Sequence, residues 1–432
     1  MLLHVGRRHL VALSCLVASL FVSPSILFAN ELSPARSIEV VVVSGEKLPA
    51  LLGKEYQNYS VMVVDGETLL PIPYQFDERN EGGFIYASGG SLAILGTENI
   101  LDKEDELAFM LKDTGIKAEP EQLSAVSGAV VAEFEVELGD HMRYAYLIEG
   151  NSERSEKHYT HFNKETGLIT TSAYTLQVDP DNLLVWGDYT YEGYAEKNVS
   201  LLDTMKLRVN GRIGFIKATI YNKLIPSEIV AVKNGPVRSI IEMDASIGML
   251  GINVLTVGAS VTITENSTEF PVFLTIPKAA AVLSSLDIEV SLDLDNMEKA
   301  RYRTELGPKE PVIQGGGGAD PKDLAVDLDH NWLSVSSNKN WDIIAFFNRN
   351  KDVTVTLEAL YKDSALDGKV DKPERVKGSS PQAGYLITDI PTGVASTIGI
   401  NLYYNKDFWQ GNNVEIAANE IRNPANINVN IF

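Results

Sequence analysis

The chain has 432 residues, with 37 Lys and Arg against 58 Asp and Glu, a formal net charge of −21 and a single cysteine. So acidic a polypeptide repels phosphate backbones and anionic lipid faces, which argues against a nucleic-acid partner. The length suits two or three domains, or one large β-domain with a smaller companion.

The first element is a targeting segment. Arg7 and Arg8 precede the apolar run LVALSCLVASLFV at 10–22, and SPSILFA leads to an expected cleavage after Ala29. A run of 13 residues is too short to cross a bilayer, which takes about 20. Removing this signal peptide, residues 1–29, takes Cys15 with it and leaves 403 residues (432 less 29) free of thiols. Two of the 37 basic residues leave as well, so the remainder carries 35 basic against 58 acidic groups, a net of −23. Export implies a periplasmic or secreted location, where disulfides are permitted but not required. No later run approaches the length of a transmembrane helix, so no membrane insertion is expected after signal removal.

Next comes an acidic block that turns apolar, LDKEDELAFMLKDTG at 101–115. Asp102, Glu104, Asp105 and Glu106 lack the alternate spacing and central glycine of a calcium loop. They read instead as charges that keep the ends of the sticky run LAFML soluble.

From there period-two polarity dominates. In 129–138 Val130, Phe134, Val136 and Leu138 share one face, opposite Glu133, Glu135 and Glu137. In 237–247 Ile241, Met243, Ala245 and Ile247 oppose Glu242, Asp244 and Ser246. In 286–294 Ile288, Val290, Leu292 and Leu294 oppose Asp287, Glu289 and Asp293, and 353–361 repeats the pattern. Side chains alternate across a strand, so each segment reads as a half-buried strand with one wet face. Roughly twenty such segments, separated by Gly, Pro, Asn and Asp, predict antiparallel sheets. Helical patterns are confined to 296–306 and 414–422. The missing β-α-β rhythm excludes Rossmann and TIM arrangements. The fold class is therefore all-β, a small N-terminal β-sandwich followed by a large antiparallel β-(super)sandwich. The small domain spans 35–152, the polar stretch 150–167 is the boundary, and the large domain spans 160–432. The stretches 307–323 and 362–384 read as long loops. At the C-terminus Ile427, Val429 and Ile431 share a parity that excludes Phe432, which favours a water-soluble sheet over a lipid-facing barrel strand.

Sharp chemical motifs are few. His158 and His161 lie in the boundary stretch and are candidates for proton transfer. Zinc needs three or four ligands, and His141 and His330 sit in no recognisable spacing with them, so no metal and no other cofactor is expected. There is no G-x-S-x-G elbow and no P-loop; the four glycines at 315–318 are a loop. In LLVWGDYTYEGY at 183–194, Trp186, Tyr189, Tyr191 and Tyr194 cluster with Asp188. Amphipathic aromatics beside a carboxylate suit the CH faces and hydroxyls of a sugar. Trp332, Trp341 and Trp409 lie in strand-like runs and read as core anchors.

Three segments carry a resemblance. LPIPYQFDE at 70–78 and DELAFM at 105–110 look like the front of certain secreted, sugar-associated bacterial proteins. VKNGPVRSIIEM at 232–243 is similar to a Gly-Pro-(small apolar)-Arg element of the galactose-mutarotase-like supersandwich group. The resemblance implies a β-supersandwich and a loose carbohydrate association, and maps no catalytic residue onto this chain. Arg238, at the head of a strand's wet face, is placed to grip a carboxylate bidentately or to pair with a Glu across the sheet. Taken together, the expectation is an exported, soluble β-sandwich protein that binds polysaccharide or oligosaccharide without catalysis. The rivals are a polysaccharide lyase, epimerase or hydrolase on the same fold, and a structural or assembly partner at the cell envelope.

Overall fold

Antiparallel pairing organises nearly the whole chain. The computed structural model describes residues 31–249, 251–376 and 381–432. The expected signal segment, with Cys15, and residues 377–380 of the 362–384 loop lie outside the described residues. Among the described residues no helix is long and apolar enough to cross a membrane.

A nine-stranded sheet runs in the order Ser227–Asn234, Ser239–Met249, Ile252–Ile263, Ser267–Thr275, Ala395–Asn405, Asp342–Arg349, Leu333–Ser336, Arg301–Thr304 and Val312–Ile313. A five-stranded sheet runs Ile216–Tyr221, Leu202–Ile213, Ser285–Leu294, Pro381–Thr388 and Thr356–Asp363. Their facing sides interdigitate. Ile241, Met243, Leu274 and Leu402 of the larger sheet share one buried core with Val209, Ile288, Leu294 and Tyr385 of the smaller. Each such side chain contributes about 1.5–3 kcal/mol by leaving water. The alternation read in 237–247 is therefore real, with Ile241, Met243, Ala245 and Ile247 all buried.

A second core gathers Val41, Phe109, Phe134 and Leu147 near the N-terminus. Its strands are Val40–Ser44, Tyr74–Asp77 and Glu106–Met110 in one sheet, and Tyr59–Asp65, Thr68–Pro71, Ala129–Leu138 and His141–Glu149 in another. The C-terminal strand Asn426–Ile431 returns to pair with Ala129–Leu138, matching Val429 with Phe134. Ile427 and Val429 then pack on this core while Phe432 stays exposed. Helix Val414–Arg422 covers Ile344 and Phe346 on the outer face of the nine-stranded sheet. Trp332, Trp341 and Trp409 are all buried as core anchors, although none lies within a strand: Trp332 and Trp341 immediately precede strands, and Trp409 sits in a turn before the C-terminal helix.

Three readings are corrected. No helix forms at 296–306: Asn296 and Lys299 take positive φ of 54° and 57°, and Arg301–Thr304 joins the nine-stranded sheet. An apolar spacing that suits a helix loses there to the ladder hydrogen bonds of a neighbouring strand. The wet face of 286–294 is also not wet throughout, because Ser291 and Asp293 are buried, Ser291 accepting from Gln382 and Asp293 pairing with Lys206. Gln382 itself belongs to strand Pro381–Thr388, so the stretch read as a loop at 362–384 gives way to strand at Pro381.

Candidate functional site

The three segments at 70–78, 105–110 and 232–243 meet in space. Strand Tyr74–Asp77 pairs with Glu106–Met110, placing Asp77 opposite Glu106. Gln75 then reaches across to the nine-stranded sheet. Its Oε1 accepts from the backbone N–H of Val237 at 3.0 Å and of Arg238 at 2.9 Å, while its Nε2 donates to both oxygens of Asp77. The approach is so close that a Cβ at Gly235 would overlap Gln75 Oε1, so glycine is required by space.

Charge completes the junction. Asp77 is fully buried and receives Arg238 Nε at 2.6 Å and Lys233 Nζ at 2.7 Å. Arg238 also pairs with Glu106, whose other oxygen takes Arg79 at 2.5 Å. Burial by itself would raise the Asp77 carboxyl, but the charges and hydrogen bonds of Arg238 and Lys233 outweigh it and hold it down at about 2. Further along, Asn80 Nδ2 and the Ser91 N–H donate to Glu242 at 3.1 and 3.2 Å. Thus the outer face of Ser239–Met249 is covered at Ile240 and Glu242 by the N-terminal strands and loops, while Asp244, Ser246 and Gly248 on the same face stay exposed. Arg238, expected on a solvated face, is only 6% exposed for that reason. Of the acidic block, Asp105 and Glu106 turn inward; burial lifts the Asp105 carboxyl to about 6.

Beside this junction lies a cleft of about 350 Å³. Its floor is the outer face of Ile252–Ile263, Ser267–Thr275 and Ala395–Asn405, presenting Ser260, Thr262, Ser267, Glu269 and Tyr403. Its rim is formed by residues 35–42, by Arg79 and Phe84, and by the end of the C-terminal helix. Glu269 Oε1 accepts from the Tyr403 hydroxyl at 3.4 Å. Burial raises the Glu269 carboxyl above its ordinary value and neighbouring Glu106 adds to the rise, against the opposing pull of Arg238 and Tyr403. The cleft thus offers hydroxyls, guanidinium groups and one acid biased toward its protonated form. Among the described residues no group of three or more His, Cys, Asp or Glu side chains is arranged to hold a metal ion.

The other sequence candidates lie apart from this cleft. Trp186, Tyr189 and Tyr194 are 4%, 4% and 5% exposed and belong to the main core. Trp186 Nε1 donates to the Leu183 carbonyl, Tyr189 stacks on Tyr174 at 5.4 Å, and the Tyr194 hydroxyl donates to the Asn296 carbonyl. Buried this far, the three rings offer a ligand no stacking face. Tyr191 packs half-buried against the same core. Asp188 is exposed and pairs with Arg375 at 2.8 Å. His158 and His161 are exposed, on the linker and on strand Thr160–Asn163. Of the eight candidates only Arg238 lines the cleft. Glu269 and Tyr403 escaped the sequence reading because a wet-face Glu or Tyr in a strand looks like any other. Arg79 and Glu106 sit in or beside the resemblance segments, where the signal was the joint presence of three distant motifs.

No protein-family model matches the chain, and no curated protein matches it by sequence. Solved structures match the chain at low identity. An α-mannosidase from Enterococcus faecalis is 11% identical, with 92% of this chain and 45% of that one covered and a TM-score of 0.47. A heparan sulfate lyase from Pedobacter heparinus is 8% identical, over 66% of this chain and 42% of that one, with a TM-score of 0.33. A GalM/aldose epimerase homologue from C. elegans is 10% identical, over 57% of this chain and 99% of that one, also with a TM-score of 0.33. This chain spans less than half the length of the mannosidase and the lyase. With TM-scores below 0.5, these likenesses place no residue and assign no activity.

Proposed function

We propose that this chain is an exported, soluble protein that binds a carbohydrate in the cleft beside Arg238. A small domain at 35–152 and a large one at 160–432, with the C-terminal strand returning to the first, and a periplasmic or secreted location are part of the same proposal. The observation that carries it is the cleft's lining. Ser260, Thr262, Ser267 and Tyr403 supply hydroxyls that both donate and accept, beside the acceptor Glu269 and the donor Arg79. A polyhydroxylated ring needs such a mixture, and the volume falls within the range of small-ligand pockets, about 300–1,000 Å³. A glycan array tests it. The wild-type protein is expected to retain at least one glycan class, and Glu269→Ala to lose that retention while staying folded. A folded wild-type protein that retains no glycan refutes the proposal.

One observation favours a second reading, a polysaccharide lyase, epimerase or hydrolase at the same cleft. A carboxyl whose pKa is raised by burial, touching a tyrosine hydroxyl and lying near arginine, has the equipment for proton transfer. Ultraviolet detection of unsaturated products, run beside a reducing-end assay, separates binding from turnover.

A further inference from the structure

The opposite side of the sandwich carries a charged cluster that this cleft does not use. Outward positions of a half-buried sheet are normally solvated, yet on the five-stranded sheet Lys206, Asp293 and Gln382 are only 1–2% exposed and Arg208 5%. Taking such charges out of water costs free energy unless each finds a partner. Three cations of the sheet, Lys206, Arg208 and Lys362, meet the acids Glu289 and Asp293, with the buried Asp203 close to Asp293. Asp293 pairs with Lys206, and Glu289 is shared by Arg208 at 3.4 Å and Lys362 at 3.2 Å. A further carboxylate comes from the strap at 364–376. Its Asp371 receives Arg208 and Lys362, each at 3.0 Å. The Asp371 carbonyl takes Lys206, and the Lys372 carbonyl takes Arg208 at 2.9 Å.

We propose that this face is a binding site for a small polyoxygenated acid of the uronate class, and that the strap fills it with its own carboxylate. Asp371 and the two adjacent carbonyls present one carboxylate flanked by neutral oxygens, the same donor-seeking pattern as a uronic acid with its ring hydroxyls. A second, independent feature points the same way: Gln382 Oε1 is buried with no hydrogen-bond partner, while its Nε2 donates to Ser291 at 2.8 Å. An orphaned acceptor among cations is what a ligand hydroxyl would satisfy. A second cleft of about 350 Å³ runs along the far end of the strap, walled there by Thr204 and by Pro373 to Arg375. Asp203 anchors the strap's far end by accepting from the N–H groups of Arg375 and Val376. Displacement can therefore begin at Asp371 while that anchor holds.

Isothermal titration with trigalacturonate tests the site. Freeing the face from its competitor raises apparent affinity in proportion to the open fraction. Asp371→Asn is therefore expected to bind trigalacturonate about tenfold tighter than the wild type, and the added change Lys206→Met to abolish that gain. A neutral trisaccharide of the same length should not bind. A folded D371N protein with no gain, or one that binds an acidic tripeptide as tightly as trigalacturonate, overturns the proposal. If D371N does not fold, trypsin cleavage of the wild-type chain after Lys369 decides. Millimolar trigalacturonate should accelerate it by displacing the strap, and an unchanged rate overturns the idea.

Discussion

Asp77→Asn tests the junction on which the cleft depends. The side chain has no exposed surface, and its oxygens sit 2.6 and 2.7 Å from Arg238 and Lys233, so solvent screens the pair weakly. Its carboxyl titrates at about 2, against about 3.9 in an unfolded chain. At about 1.4 kcal/mol per pKa unit, the ionised group contributes on the order of 2–3 kcal/mol at neutral pH. Removing one partner of a buried pair usually costs about 3–5 kcal/mol, because the remaining charge is stranded. Here Arg238 keeps Glu106 and the amide keeps the shape, so a loss of about 2–4 kcal/mol is expected. The pH dependence follows from the depressed folded-state value. The contribution is complete above the unfolded pKa and disappears as pH falls toward 2. Urea unfolding of the wild type and D77N at pH 7, 4 and below 3 measures both parts. A difference under about 0.5 kcal/mol at pH 7, or one that persists undiminished below pH 3, refutes the account.

Gly235→Ala should destabilise by about 1–3 kcal/mol, because its Cβ meets Gln75 Oε1. In a Gln75→Ala background most of that cost should vanish, and an additive double-mutant cycle in urea would count against the close approach. Glu269→Gln reports on a carboxyl whose folded pKa is raised. The wild-type contribution is complete below the unfolded pKa and is lost as pH rises through the folded one. The variant should therefore gain on the wild type between pH 4 and pH 8 in thermal midpoint, and a variant that falls behind over that interval contradicts the burial of Glu269. Trp186→Ala should cost about 3–5 kcal/mol as a core truncation. The milder Trp186→Phe, if folded, should leave glycan retention unchanged; lost retention would return Trp186 to the ligand.

Much of the architecture was legible because burial imposes a period of two on any sheet with one apolar side. Residues 237–247 declared their inward face without help from distant chain, and 129–138 did so from Phe134 onward; a bulge between Val130 and Ala132 turns Val130 away from Phe134 into a separate cluster with Tyr146 and Ile148. The same rule overreached on the opposite faces. Glu242 and Asp293 read as wet because polarity alone does not distinguish a side chain facing water from one facing a polar partner. Trp186 and Tyr189 failed as ligand contacts for a related reason. An aromatic cluster has the same composition in a binding platform as in a core, and only the layer packed above it tells them apart.

By itself, the order of residues determined the sheets, their apolar sides and the three short segments that later met around Arg238. It did so because alternation and turn chemistry act over a few residues. Only the tertiary structure decided that Asp77, Glu106 and Arg238 share one buried junction, that Glu269 and Tyr403 floor a cleft, and that Asp371 caps Lys206, Arg208 and Lys362. All but the contact of Asp371 with Lys362 join segments separated by tens to hundreds of residues. Their energies depend on distance and on exclusion of water, quantities that come into existence only once the sheets have stacked.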